Sequence, residues 1–327
     1  MVTQIFALLL LIQPFFITQP PTGAVFRSAD GGSTWQDLSA GLPGEVQAMD
    51  VYAWEKEILL ASEAGLFRLD ASFVAPTWRK EILHNGPVRG FMAGKTGPYA
   101  YCEKGVYQVF PGSGMWLPVY PNLDGGLILA DLETPGGGLL VATDKGIFKS
   151  ADGGKSWRKV FSEEFVNSLV AADGALIGGG VKGVLRSTDQ GEHWTWAFTK
   201  EEMVLETALA WEGIVVVTLG SASSSDSTMT ALSANASKEI NNRLLYSADG
   251  GKIWTYIDKG LPPARKIYEI AQVGEVLFCS LETGLFRSSD RGKTWSLALA
   301  SKGEGRFELA VSGRSVIAVW APGLDGC

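Results

Sequence analysis

Apolar residues in this chain fall into short runs dominated by β-branched and aromatic side chains, each cut off by glycine, aspartate or serine. Val46–Trp54 is followed by Ile58–Ser62, and Ile267–Val273 by Leu277–Ser280, with only a few turn residues inside each pair. No long segment carries apolar positions at the three-to-four spacing of an amphipathic helix. The pattern predicts an all-β chain of short strands joined by tight turns. After each pair comes a third run led by glycine, then a polar turn, then a fourth run opened by tryptophan. Four strands make one unit, and the unit recurs.

The polar turn is nearly the same each time. It reads S-x-D-x-G-x-x-W at Ser28–Trp35, Ser150–Trp157, Ser187–Trp194, Ser247–Trp254 and Ser288–Trp295. Two further units, Gly65 to Trp78 and Gly105 to Trp116, keep the glycine and the tryptophan but have lost the turn. The seven tryptophans 35, 78, 116, 157, 194, 254 and 295 stand 37 to 43 residues apart, except for 60 between Trp194 and Trp254. A period of about 40 with four strands per unit is that of a β-propeller. The ends settle the count. The chain enters on a third strand, Gly23–Ser28, and leaves after a first and a second, Phe307–Val311 and Ser315–Trp320. Neither fragment makes a blade alone, and pairing them removes exposed edges. We expect seven four-stranded blades, the last shared by both termini, in one domain over residues 23–327.

The chemistry of the turn explains its recurrence. Its aspartate can accept bonds from the backbone N–H groups ahead, its glycine can take φ > 0, and its serine offers further local bonds. The tryptophan then lays a large ring against a neighbouring unit. These residues resemble the Asp-box, or bacterial neuraminidase repeat, of the sialidase and sortilin-like superfamily. The resemblance covers nearly the whole chain from residue 23. It implies that Asp30, Trp35, Asp152, Trp157, Asp189, Trp194, Asp249, Trp254, Asp290 and Trp295 are structural, on turns remote from any ligand. Ligands would then meet the opposite face, built from loops entering the first strands and from second-to-third turns.

Composition narrows the function. A hydrophobic share of 46% with 40 glycines suits a packed, turn-rich β protein rather than a disordered one. The net charge of −7 argues against a nucleic-acid or anionic-membrane partner. Three scattered cysteines (Cys102, Cys279, Cys327) and two histidines (His84, His193) give no disulfide framework or metal-ligand pattern, so no metal or cofactor is expected. The apolar run at residues 5–18 is short and interrupted by Gln13-Pro14. Residues 1–22 read as a secretory signal or, failing that, an N-terminal tether. A secreted or periplasmic monomer is the expectation. The long gap holds an insertion, residues 221–241 in blade five, read as a flexible loop or a flap over the binding face.

Three groups of residues belong to the expected ligand face. Glu63, Glu103, Asp144 and Glu282 each stand two residues before a third-strand glycine; they would form a ring attracting cations, or simply suit exposed turns. Glu269 and Glu308 hold equivalent places on the first strands of blades six and seven, with Glu206 of blade five as a third. Such carboxyls could serve as the acid and base, or nucleophile, of glycoside hydrolysis, or be ordinary channel-mouth acids. Arg89, Arg265 and Arg306 open first strands. The family resemblance implies a three-arginine clamp for a substrate carboxylate and a Tyr–Glu couple, which Tyr268 and Glu269 would supply. The Arg-Ile-Pro signature of those enzymes is absent, however, and the acid excess would repel an anionic sugar. Trp320 has no repeated role and could approach the same face. Two functions stay open: a binding module for a glycan, peptide or protein, or a glycoside hydrolase.

Overall fold

Each repeated turn closes on itself through one buried serine. Ser288 Oγ accepts the Gly292 N–H at 2.8 Å and donates to Asp290 Oδ1 at 2.7 Å. Asp290 in turn accepts the Thr294 N–H at 2.9 Å and the Thr294 hydroxyl at 2.6 Å. Ser28, Ser150, Ser187 and Ser247 make the same bonds in their own turns. The glycine is required. Gly292 has φ +81°, and a Cβ there would stand 2.7 Å from Ile257 Cδ1 of the preceding blade.

The computed structural model describes residues 24–323 except 45, 55, 71–75, 84–85, 93–96, 103–104, 111–113, 120–122, 124–125, 163–164, 181, 200–202, 212–213, 222–242 and 265–266; for 203–211, 214–215, 219–221 and 243 it describes the backbone. The leader expected at residues 1–22 lies outside the described residues, as does the insertion beyond Ser221. Among the described residues no helix is long and apolar enough to cross a membrane.

In chain order, β1 (Val25–Ser28) and β2 (Gln36–Asp37) come first. Blade one is β3 (Ala48–Trp54), β4 (Glu57–Ser62), β5 (Gly65–Asp70) and β6 (Arg79–Lys80). Blade two is β7 (Gly90–Met92), β8 (Tyr99–Cys102), β9 (Gly105–Val109) and β10 (Trp116–Val119). Blade three is β11 (Ile128–Glu133), β12 (Leu139–Thr143), β13 (Gly146–Ser150) and β14 (Arg158–Phe161). Blade four is β15 (Val166–Ala172), β16 (Ala175–Gly180), β17 (Gly183–Ser187) and β18 (Thr195–Thr199). Blade five is β19 (Met203–Trp211), β20 (Ile214–Ser221), β21 (Arg243–Ser247) and β22 (Thr255–Tyr256). Blade six is β23 (Ile267–Val273), β24 (Val276–Leu281), β25 (Gly284–Ser288) and β26 (Ser296–Ala300). Then come β27 (Gly305–Ser312) and β28 (Ser315–Pro322).

Seven antiparallel four-stranded sheets result, and the seventh has the order β2-β1-β28-β27. Both termini build it, with Phe26 opposite Ala318 and Phe307 opposite Trp320. First strands of consecutive blades touch all the way round, from β3 through β7, β11, β15, β19, β23 and β27 back to β3. The fold is a seven-bladed β-propeller.

Its core is divided into seven clusters, one at each seam between blades. Phe278 of blade six packs with Phe26 and Phe307 of blade seven, for example, and Met92 of blade two with Phe148 of blade three. Tryptophans of the repeat reach across some seams: Trp78 Nε1 donates to Leu38 O at 2.7 Å and Trp295 Nε1 to Ile257 O at 3.0 Å. A second stitch was not expected from the sequence. The basic residue just before a repeated serine donates to the carbonyl that follows the aspartate in the next blade's turn. Lys149 binds Gln190 O at 2.7 Å, Arg186 binds Gly250 O at 3.1 Å, and Arg287 binds Gly31 O at 2.6 Å. Blade one has no such turn to receive Arg27, which bonds Ser315 in its own sheet instead. Arg68 likewise pairs within its blade, with Glu57 and Glu81.

Candidate functional site at the channel mouth

The repeated turns join third to fourth strands, so they sit at the end of the propeller where first strands finish. First strands begin at the other end, beside the second-to-third turns. There the inner strands of blades one, three, four, five and six each carry a bulge. A bulge kinks a strand and re-aims the side chain that follows it. In blades one, three, four and six the residue after it stands opposite the penultimate residue of the second strand: Asp50 opposite Ala61, Ala130 opposite Ala142, Ser168 opposite Gly179, Glu269 opposite Ser280. Glu308, opposite Val319, holds the same register in blade seven, and Gly90, opposite Tyr101, holds it in blade two. Three adjacent blades, six, seven and one, thus present Glu269, Glu308 and Asp50 at one level. Asp50 is the member that sequence reasoning missed; its signal was Ala48-Met49-Asp50 laid over Ile267-Tyr268-Glu269.

Two of these carboxylates make the same inter-blade bond. Glu269 Oε2 accepts the Leu309 N–H of blade seven at 2.7 Å, and Asp50 Oδ2 accepts the Phe91 N–H of blade two at 2.8 Å. In each case the donor follows the equivalent residue of the next blade. Glu308 breaks the series. The Val51 N–H that it would accept goes to Asp50 Oδ1 at 2.7 Å. Glu308 instead pairs with Arg306, and its charge bears on the Glu269 carboxyl. The Arg306 guanidinium lies 5.8 Å from the centre of the Tyr268 ring. Gly90 leaves room for this group: a Cβ there would fall 2.5 Å from the Tyr101 hydroxyl and 2.8 Å from Asp50 Oδ2.

The electrostatics follow from this crowding. Burial, the neighbouring Glu308 and then Asp50 hold Glu269 well above the ordinary carboxylic range. Burial, Glu308 and Asp131 push Asp50 up to about 7 against the pull of its two backbone N–H donors. Burial and then Asp50 raise Tyr101 as well.

The other expected residues are placed differently. Asp144 Oδ1 accepts the Leu127 N–H at 2.8 Å, just before β11. Glu63 accepts the Gln47 amide at 2.8 Å, just before β3. Both acids tie a second-to-third turn to the start of their own first strand. Glu282 is half-buried, and Glu103 lies outside the described residues. Glu206 is the extra residue of the bulge between Leu205 and Thr207, so Thr207 rather than Glu206 shares the register of Glu269; the side chain of Glu206 is not described. Arg89 is exposed in blade two, with blade one between it and Arg306, and Arg265 lies outside the described residues. Trp320 is only 8% exposed and packs edge-on against Phe307 at 5.1 Å, so it fills the core between blades six and seven instead of offering a platform. Among the described residues no cluster of His, Cys, Asp or Glu has metal-holding geometry.

No protein family's profile matches the chain, and no curated relative does. Solved structures do. The extracellular domain of a hybrid two-component system from B. thetaiotaomicron superposes with a TM-score of 0.63 at 11% identity, over 82% of this chain and 36% of that one. A GH74 enzyme from Niastella koreensis gives 0.57 at 15%, over 90% of this chain and 45% of that one. YCF48 bound to D1 peptide gives 0.58 at 14%, over 85% and 95%. The chain spans less than half the length of the first two. What it shares with all three is the fold.

Proposed function

We propose that this chain is an exported Asp-box propeller that binds a peptide, protein or glycan ligand at the channel mouth around Asp50, Glu269 and Glu308. The observation that carries the reading is the convergence of these three carboxylates, with Tyr101, Tyr268 and Arg306, at the end remote from the repeated turns. Propellers place function where inner strands and their loops converge, while one fold hosts many sites. Solved propellers of this shape include an extracellular domain and one bound to a peptide. Secretion through residues 1–22 and a monomeric state belong to the same proposal.

A glycoside hydrolase is the second reading, favoured by a buried carboxyl raised well above the ordinary range beside another acid. That chemistry sets the two carboxyls about 5–10 Å apart, with sugar or water between them. Glu269 is tied to the Leu309 N–H and Glu308 to Arg306, partners that already engage both carboxyls, so the binding module is preferred. The test is a peptide and glycan array, with glycoside hydrolysis assays alongside, on the wild type, Glu308→Gln and Ser288→Ala. A ligand lost with Glu308→Gln and kept with Ser288→Ala is expected. Ligand retention in Glu308→Gln refutes the assigned site. Hydrolysis abolished by that substitution would establish the second reading instead.

A further inference from the structure

Four of the five repeated turns rest on the blade before them. A Cβ at the second turn glycine would fall 2.6 Å from Phe278 for Gly32, 2.9 Å from Leu140 for Gly191, 2.8 Å from Ile177 for Gly251 and 2.7 Å from Ile257 for Gly292. Gly154 of blade three is the exception. Its nearest neighbours are Trp157 at 3.6 Å and Leu139 at 3.8 Å, both of its own blade, and no described residue of blade two comes within 4 Å. The Trp157 indole also bonds within its own turn, donating to Gly154 O at 2.9 Å. A pocket of about 370 Å³, its open mouth included, lies in the seam that remains. Met92, Tyr99, Val106 and Val119 line it from blade two, Val141 and Trp157 from blade three.

The apolar surface continues beyond the pocket. Successive residues of a strand face opposite ways, so Leu117 and Met115 share the face of β10 that carries Val119. Trp116 faces the other way, into the seam with blade one. Phe110 stands beside Met115, whose carbonyl accepts its N–H at 2.6 Å. Phe110, Met115 and Leu117 are 52%, 59% and 47% exposed. β10 is the outer edge of its sheet, and such edges are ordinarily guarded by charge. Here residues 105–123 hold no charged side chain, in a chain that is 19% charged. A contiguous apolar strip beside a pocket marks a surface that a partner covers.

We propose that the seam between blades two and three is a second binding site, which holds an uncharged peptide segment of a partner protein by an aromatic side chain seated in the pocket. Phe278 shows the class of group that suits the place, since its ring packs directly beneath the turn at Gly32 between blades six and seven. Tyr99, Trp157 and Met92 are side chains that favour an aromatic guest. Charge selects what flanks it. A carboxylate would meet Asp131 in the pocket wall, and any charged group laid on the strip would lose its water without a partner. A small molecule alone would leave Phe110 and Met115 uncovered, so the occupant is a chain with apolar residues on either side of the aromatic one. Pro118 leaves the edge of β10 without one N–H, so side chains and not an added strand make the contact. The site is independent of the carboxylates at the channel mouth and stands whether or not the mouth takes a ligand.

Met92 in the pocket and Met115 on the strip are natural reporters. Methyl spectra of the full chain, labelled at methionine and titrated with acetyl-Ser-Leu-Phe-Leu-Ser-amide, should show both signals moving while that of Met49 on β3 stays in place. Exchanging the peptide's phenylalanine for alanine should weaken binding by about tenfold or more. Met115→Asp, which alters an exposed side chain and leaves the core intact, should weaken it as much, whereas Glu308→Gln should change nothing. An equal response to a peptide flanked by glutamates, or binding that survives Met115→Asp, overturns the proposal. So does benzene moving the Met92 signal when the peptide moves neither, which would make the pocket a small-molecule site. A dimer in sedimentation that Met115→Asp dissociates would assign the strip to a second copy of the chain and overturn it as well.

Discussion

Asp290 and Asp50 are the same residue at opposite ends of one ring, and the fold treats them in opposite ways. Asp290 is wrapped by the hydroxyl and N–H of Thr294 and by the Ser288 hydroxyl, all donors, and its carboxyl is drawn down to about 2. Asp50 accepts two backbone N–H groups while burial, Glu308 and Asp131 press against its charge, and its carboxyl is driven up to about 7. The seam between blades six and seven repeats the contrast. At the repeated-turn end, Phe278 packs edge-on against Trp35 at 6.3 Å, and Arg287 crosses to Gly31 O and Ser33 Oγ. At the channel end, Glu269 crosses to the Leu309 N–H beside Glu308. One end is stabilised by apolar contact and satisfied charge; the other holds like charges together. Sites that do chemistry or binding are usually where a fold tolerates such conflict.

The difference can be broken first at its strong end. Phe278 is fully buried against Trp35 and the Gly32 position of the turn, so Phe278→Ala should cost about 3–5 kcal/mol of unfolding free energy in a denaturant titration. A loss under about 1 kcal/mol would mean that the seam is not held there. Ser288→Ala, which orphans the buried Gly292 N–H, should cost about 1–3 kcal/mol. Lys149→Ala removes the stitch to Gln190 O and the bond to Glu192, and should cost about 1–2 kcal/mol. If Lys149→Ala and Lys145→Ala destabilise equally, the stitch is incidental.

The pH profile sharpens the same comparison. The depressed aspartates of the turns, near 2 for Asp152 and Asp290, give stability present above pH of about 4 and lost as the pH falls towards 2. Asp50, raised to about 7, gives stability present below pH of about 4 and lost as the pH climbs towards 7. Together they place the thermal midpoint at its highest near pH of about 4–5, with a decline on both sides. A midpoint that keeps rising to pH 8 would show that the channel carboxylates ionise without strain.

Most of the fold was legible because it is local and repeated. A turn with serine, aspartate, glycine and tryptophan at fixed offsets announces its own hydrogen bonds, and the split seventh blade follows from which strands lie at each end of the chain. The channel mouth was only half legible. Glu269 and Glu308 stand out by equivalence, but Asp50 joins them through ring closure between blades seven and one, and its shorter side chain hid the match. Glu206 was misleading because a bulge shifts the register by one residue without leaving a mark in the pattern. Trp320 looked free of a repeated role because the blade it belongs to is assembled from both ends. The basic residues Lys149, Arg186 and Arg287 recur visibly before three of the five serines, yet their partner is a backbone carbonyl, which no side-chain pattern records.

The smallest expected effect probes whether the turns are themselves free of strain. Their first glycine position has left-handed backbone throughout: φ is +67° at Gly31, +75° at Gly153 and +67° at Gly250, but also +61° at Gln190 and +62° at Arg291. A side chain in that region carries a steric penalty that glycine escapes, while glycine adds freedom to the unfolded chain; the two nearly cancel. Arg291 also loses little by truncation, since its ion pair with Glu275 is 3.7 Å long between two exposed groups. Arg291→Gly should therefore shift unfolding free energy by no more than about 1 kcal/mol. A larger gain would reveal strain stored at the repeated turns, and the contrast between a relaxed end and a conflicted end of the propeller would not hold.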